Sequence, residues 1–371
     1  MSKKVLGIIF SNAHDETLSE MTDLRTMGSV PFGGRFRLID FPLSNMVNAG
    51  ITKIGVITKS NYQSLMDHIG SGRPWDLSRK TDGLFILPPF NLGGAGYYHS
   101  RSEALDGAMK FISSSNERYV ILSDSNLVAN IDFDELIKQH EDTGADITMV
   151  CAKGRAPKNI PNILNLQLND NKEVVSAALD NARGKEGSYC LNIYMMEKHL
   201  LQRLIADSMA HSEPHFQKDV ILGQIGKLKI YSYEFTGYSC MIDGLSSYFG
   251  ANMDLLNTPN RQDLFRSDRT IFTKAKDSMP TRYGLASNVK NTLVADGCVI
   301  DGEVENCILF RNVTVGKGAK LKNCIVMQNA YVSDDAQLEY TILDKEVVIK
   351  PGKRLSGADT YPVYVGKKII I

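Results

Sequence analysis

Apolar and polar positions divide this chain into two regimes. Through the first two thirds, short apolar runs alternate with amphipathic stretches. Val5–Phe10 (VLGIIF), Ile54–Thr58 (IGVIT), Tyr119–Ser123 (YVILS) and Ile147–Cys151 (ITMVC) read as buried strands. Tyr62–Ile69 reads as an amphipathic helix. In FDELIKQHEDTG, Phe133, Leu136, Ile137 and His140 fall at i, i+3, i+4 and i+7, and Gly144 stops the helix. Strands alternating with helices predict βαβ units in an α/β domain with a mostly parallel, Rossmann-like sheet. Such sheets bind ligands at the carboxyl ends of their strands, so the loops after Phe10, Thr58 and Ser123 are candidate site segments. Residues 153–189 are polar, rich in Asn, Gly and Lys, and predict an insertion with its own hairpin.

The last third repeats. From Cys307 it reads CILFRNVTVGKGAKLKN, then CIVMQNAYVSDDAQLEY from Cys324, then TILDKEVVIKPGKRL from Thr341, a period of 17 residues split six, six and five. The third position of every piece is apolar: Leu309, Val315, Leu321, Val326, Val332, Leu338, Leu343 and Ile349. The first is mostly small or β-branched: Cys307, Val313, Ala319, Cys324, Ala330, Ala336, Thr341 and Val347. Three such pieces close one coil of a triangular parallel β-helix, and stacked coils bury an apolar column. An antiparallel sandwich would not hold a 17-residue register. The pattern fades upstream through Val299 and Leu293, giving about four coils whose ends need capping. The apolar C-terminus, Ile369–Ile371, is expected to pack against another chain or the first domain. The expected organisation is an α/β domain over 1–255, a linker over 256–285 containing Pro259 and Pro280, and the β-helix over 286–371.

Charge narrows the possible functions. Lys plus Arg and Asp plus Glu are both 42, so the net charge is zero, which disfavours a nucleic-acid or anionic-membrane partner. No apolar run reaches the ~18 residues of a membrane span. Lys3 and Lys4 before Val5 imitate a signal peptide, but the apolar run is short and no small-residue cleavage site follows, so a first strand is the reading. Six cysteines with no Cys-x-x-Cys pair suggest free thiols in a reducing cytoplasm. All seven histidines precede the repeat, which removes the general base that acyltransferases on such β-helices use.

One run is more specific. VPFGGRFRLIDFPLSN, residues 30–45, resembles the ADP-glucose pyrophosphorylase (glucose-1-phosphate adenylyltransferase) family almost residue for residue. ITKIGVIT (51–58), GSGRPWDL (70–77), LFILPPF (84–90), GYYHSRSEAL (96–105), HFQKDVI (215–221) and SSYFGANMDLL (246–256) are similar to later family segments, in order. The resemblance covers essentially the whole chain. It implies a nucleotidyltransferase-type domain, a left-handed β-helix and assembly into tetramers. The family joins glucose 1-phosphate to the α-phosphate of ATP, which requires Mg²⁺ held by carboxylates, basic side chains and a glycine-rich phosphate loop.

Against that requirement the charged positions fail one after another. The family's Ala-Gly-Gly-x-Gly-x-Arg-Leu loop is here FSNAHDETL (10–18), with no glycine, no matching arginine, and His14, Asp15 and Glu16 instead. Met27 replaces the lysine of the Lys-Pro-Ala-Val-Pro run. The first metal aspartate, in Leu-Ser-Gly-Asp-His, is displaced to Asp124, with Ser125 in its slot; a one-residue slip on a strand reverses the side chain. The second falls on Met241, with Asp243 two residues later. For the sugar-phosphate lysine only Lys185 is near.

Scaffold motifs kept and charge-bearing ones lost resemble the non-catalytic GlgD-type branch of the family. The resemblance implies a regulatory subunit in glycogen biosynthesis that needs no cofactor alone and forms a hetero-oligomer, a tetramer, with a catalytic subunit carrying Mg²⁺ and ATP. A homo-oligomer is the other assembly open to it. Arg35 and Arg37 would bind anionic effectors such as sugar phosphates; for Arg35 the alternative is an ion pair with an acidic neighbour such as Asp40. Trp75, Tyr98, Ser100 and Lys218 would line the old cleft. The rival readings are an active adenylyltransferase whose Mg²⁺ site is rebuilt from Asp124 and Asp243, and a free-standing sugar-phosphate sensor.

Overall fold

The structure, a computed structural model, describes residues 4–89, 98–179, 186–212 and 215–371. Its main sheet contains β1 (Val5–Phe10), β2 (Lys53–Ile57), β3 (Gly83–Leu87), β4 (Tyr119–Asp124), β5 (Ile147–Arg155), β6 (Leu164–Leu168), β7 (Val174–Leu179), β8 (Glu186–Glu197) and β9 (Ile230–Glu234). Strands β3, β2, β1 and β4 lie side by side and parallel, and β8 then runs antiparallel to β4. The hairpin β6–β7 in the polar insertion extends the sheet through β8.

Side chains alternate between two buried faces, as the pleat requires. Val5 and Ile9 of β1, with Tyr119 and Ile121 of β4, pack under helices α1 (Asp40–Asn48), α2 (Gln63–Ile69) and α4 (Phe133–Thr143). Leu6, Ile8 and Phe10, with Val120 and Leu122, pack under α3 (Arg101–Gly107) and α5 (Lys198–Ala210). Helix α4 begins on Asp132, whose carboxylate accepts the Asp134 and Glu135 N–H groups, and ends on left-handed Gly144.

The tail is a left-handed parallel β-helix built as three five-stranded parallel sheets. The register is 17 residues where the repeat is clean, as in Ile308↔Ile325, and 15 in early pairs such as Asn288↔Glu303, which is why the pattern fades upstream. Both sets of repeat positions are buried inside the coils. The corners fall one residue before the small positions. Asn306, Asn312, Asn323, Asn329 and Asp335 all have positive φ, the left-handed conformation that Asn and Asp tolerate. The C-terminus folds onto its own last coil: Lys350 N–H bonds the Ile371 carbonyl at 2.8 Å, while Ile369 and Ile370 stay largely exposed.

One β-helix face is apolar on its outside. Ile308, Ile325 and Ile342, with Phe310 and Met327, join Leu18, Met27, Val30, Phe32, Phe41, Tyr248 and Phe249 in a single buried cluster that joins β-helix and α/β domain. Residues 256–285 begin as a helix at Thr258–Leu264 and then run without regular structure to Arg282. Among the described residues no helix is long and apolar enough to cross a membrane.

Leu321 is 2% exposed in the β-helix column. Leu321→Ala is expected to cost about 2–5 kcal/mol by leaving a cavity, read as a lower urea midpoint at unchanged slope.

Candidate functional site

A cleft of about 980 Å³ opens at the carboxyl ends of β1 and β2. It is lined by the loops after those strands, including His14, Asp15, Glu16, Lys59 and Ser60, and by Tyr98, Ser100 and Arg101 at the start of α3. These are the loops after Phe10 and Thr58, where a parallel sheet places its ligands.

Two lining residues, Arg101 and His14, reach a carboxylate buried behind the cleft wall. Asp124, the last residue of β4, is fully buried, and Arg101 Nη2 reaches its Oδ1 at 2.5 Å and its Oδ2 at 2.6 Å. His14 Nε2 lies 3.1 Å from the same Oδ2, and Asn192 Nδ2 lies 3.5 Å from that imidazole nitrogen. Burial opposes ionisation of Asp124, but Arg101 and His14 outweigh it and hold its carboxyl below the ordinary value. The guanidinium sits 4.7 Å over Phe10, 5.6 Å over Phe216 and 5.8 Å over Tyr194, an aromatic box suited to a cation.

Pleat alternation explains the pairing. Asp124 follows Leu122 onto the face covered by α3, whereas Ser125 turns the other way and donates to the Ser11 carbonyl at 3.3 Å. That side is closed: a Cβ on Gly28 would meet Ser125 Oγ at 3.3 Å.

The former phosphate loop satisfies itself. Its Asp15 N–H bonds the Asn12 carbonyl and its Thr17 N–H the His14 carbonyl, so these amides do not form a phosphate cradle. Asn12 ties the loop to the Lys59 N–H at 2.7 Å and the Ser60 carbonyl at 3.2 Å. The Asp15 carboxylate accepts from Asn12 at 2.6 Å and from the Met27 N–H at 2.7 Å, yet burial pushes its pKa from 3.8 to about 6. Met27 is fully buried in the interdomain cluster.

Asp243 belongs to a different arrangement. Its Oδ2 accepts the Lys158 and Asn159 N–H groups at 2.9 and 3.1 Å. Met241 is buried in the core beneath α1 and α4. Asp124 and Asp243 share no ligand-ready face, so the residues present do not fit the Mg²⁺ site that the family resemblance implies.

The remaining expected residues divide. Tyr98 and Ser100 line the cleft, and Ser100 also caps α3 by accepting the Glu103 N–H at 3.1 Å. Trp75 does not line it: it is buried in the core, edge-on to His68 at 5.9 Å, because the Arg73–Trp75 turn folds inward. Lys218 is exposed beside the lining residues Phe216 and Gln217 but is not part of the wall. Lys185 lies outside the described residues.

Arg35 and Arg37 lie at the seam between α/β domain and β-helix. Gly33 and Gly34, at φ 56° and 86°, turn the chain in the left-handed backbone region, and a Cβ on Gly33 would lie 2.9 Å from Leu255 Cδ1. Arg35 then meets Asp296 of the β-helix at 3.9 Å; Asp40 is not its partner, because Asp40 accepts the Arg37 N–H and pairs with His68 at 2.6 Å. Asp296, Arg311, Gln328 and Lys345 stack as one column, coil on coil. Arg25, 4% exposed, donates to Asp344 at 2.6 Å, and Arg37 Nη1 donates to the Ser64 hydroxyl at 2.9 Å. Burial and the nearby Arg37 and Arg25 push the Lys345 amine down to about 7. Arg25 Nη1, Arg311 Nε and Gln328 Oε1 are buried with no hydrogen-bond partner. The sequence reading missed Arg25, Arg101, Arg311 and Lys345. The available signal for Arg311 and Lys345 was a polar fifth position in each repeat copy.

A parallel sheet with a phosphate-loop position, a cleft at its carboxyl edge and an appended hexapeptide β-helix define a sugar-nucleotidyltransferase architecture. The nucleotidyl transferase family matches residues 7–159, and the GlmU-like C-terminal hexapeptide family matches 276–361. The glycogen biosynthesis protein GlgD of Bacillus subtilis (strain 168) is 40% identical over the whole chain and 97% of its own length. That of Geobacillus stearothermophilus is 37% identical over 86% of the chain and 83% of its own. A glucose-1-phosphate adenylyltransferase of Pseudothermotoga lettingae is 32% identical over 85% of the chain and 76% of its own. This chain belongs to the ADP-glucose pyrophosphorylase family and is GlgD-like within it.

Two outcomes follow from the cleft. Asp124→Asn strands the buried Arg101 and is expected to cost about 3–5 kcal/mol in urea unfolding. The native Asp15 carboxyl takes up its proton near pH 6 and the unfolded one near 3.8, so stability falls as pH rises through that window. Asp15→Asn should remove that fall, seen by comparing melting temperatures of both proteins across it.

Proposed function

We propose that this chain is a catalytically deficient, regulatory subunit of an ADP-glucose pyrophosphorylase in glycogen biosynthesis, activating a catalytic partner in a cytoplasmic hetero-oligomer. The observation that carries the reading is that neither candidate carboxylate is free: Asp124 is taken by Arg101, and Asp243 by the Lys158 and Asn159 N–H groups. The GlgD name of two full-length or near full-length relatives supports the pathway. Six free cysteines suit a reducing compartment. On this reading the chain needs no cofactor of its own, while Mg²⁺ and ATP serve the partner.

Regulation is assigned to the seam. Arg25, Arg35, Arg37, Arg311 and Lys345 gather there around Asp296 and Asp344, and Arg25 Nη1 and Arg311 Nε are buried without a hydrogen-bond partner. An anionic effector such as a sugar phosphate would satisfy them. Arg35 and Arg37 come from the α/β domain and Lys345 from the β-helix, so an anion held between them favours one relative placement of the two. Coupling needs such a difference between states.

The test is a mixture with a catalytic relative. Co-elution and a higher kcat than the relative shows alone are expected; no co-elution and no gain would reject the regulatory role. In the mixed complex, Arg35→Ala should blunt activation by a sugar phosphate without altering assembly, and an unchanged activation curve removes Arg35 from the site. Because the Lys345 amine sits near 7, its charge fades as pH rises through that value, so half-activation should need more effector above it. Lys345→Arg should flatten that dependence, and comparison with the wild type cancels the effector's own titration.

A further inference from the structure

Asp124 and Arg101 are two buried charges that depend on each other. Neither could be introduced alone without burying an unpaired charge, since Asp124 is fully buried and the Arg101 side chain is 9% exposed. Paired, they satisfy both oxygens of the carboxylate, and His14 adds a third contact from the remodelled phosphate loop.

We propose that Arg101 is a resident cation that plugs the cleft wall: with His14, which also lines the cleft, it holds the Asp124 carboxylate buried behind that wall and denies it to any divalent ion. This rests on the reading of the chain as non-catalytic, and adds that the loss is maintained by an internal contact as well as by missing ligands. A guanidinium suits the task for two reasons. It keeps its charge at any physiological pH, and its plane can span both carboxylate oxygens. The box of Phe10, Tyr194 and Phe216 fixes it from behind, so displacing it would mean moving a cation out of aromatic contact as well as breaking the ion pair. A divalent ion arriving from the cleft meets a carboxylate already neutralised.

The proposal predicts a gain of metal binding on removal of the plug. Free Mn²⁺ measured by electron paramagnetic resonance should show no site in the wild type that depends on Asp124. Arg101→Thr should bind Mn²⁺ at least ~10-fold more tightly than wild type, with an Mn²⁺-dependent rise in melting temperature. Both effects should vanish in Arg101→Thr combined with Asp124→Asn. Should Arg101→Thr not fold, Arg101→Gln, which keeps the length and a donor but not the charge, carries the same measurement. A folded variant that gains no Mn²⁺, or a wild-type Mn²⁺ site abolished by Asp124→Asn, overturns the plug. Failure of the plug leaves the regulatory reading standing, because that reading is decided by the mixed-subunit activity and not by Mn²⁺.

Discussion

A carboxylate cut off from water must be met by positive charge, and at Asp124 that charge comes from the protein itself. Everything distinctive about this cleft follows from that constraint. Arg101 must reach in from α3, so the start of that helix is drawn to the cleft wall. His14 must turn back toward β4, and it does so in a left-handed conformation, φ 65°, at the tip of a loop whose amides bond to one another. The aromatic rings behind the guanidinium belong to the hydrophobic face of the sheet, so the ion pair is continuous with the core. Desolvation would make an uncompensated charge here cost several kcal/mol, which is why the site is stable only as a complete set.

The scaffold, by contrast, is conventional for its architecture. The parallel strands, the cleft and the apolar cluster linking the β-helix to the α/β domain do not depend on catalytic charge. A fold can therefore keep its shape when its charged positions change, because packing and catalysis draw on different residues. What the scaffold still offers is a charged seam. Along it, cations from the α/β domain face a polar column of the β-helix, and Arg25 Nη1, Arg311 Nε and Gln328 Oε1 have no hydrogen-bond partner. That division of labour, an ion-paired cleft and a partly unsatisfied seam, is what the regulatory proposal rests on.

Much of the fold was legible because it is periodic. A 17-residue register names its own inward positions, and Leu309, Leu321, Val326 and Leu338 are buried as that register requires. Val5–Phe10 and the α4 helix were similarly plain, being long and clearly patterned. The corners fall one residue before the small positions, where a left-handed Asn or Asp does the turning. The displacement of the acidic positions from the family's motifs was readable from types and spacing. The ion pair that holds Asp124 was not, since Arg101 is 23 residues from Asp124 and His14 is 110, and only the folded sheet brings them together. Trp75 shows the opposite error: a residue inside a family-like loop was expected to face the cleft, but its ring finds more apolar contact in the core.

The central claim is that this cleft no longer assembles the charges needed to transfer a nucleotidyl group. The most direct measurement is pyrophosphate release by the homogeneous chain on its own, given ATP, glucose 1-phosphate and Mg²⁺, beside a catalytic relative under identical conditions. The account predicts release indistinguishable from the enzyme-free background. Sustained turnover that is abolished by Asp124→Asn in a folded protein would contradict it.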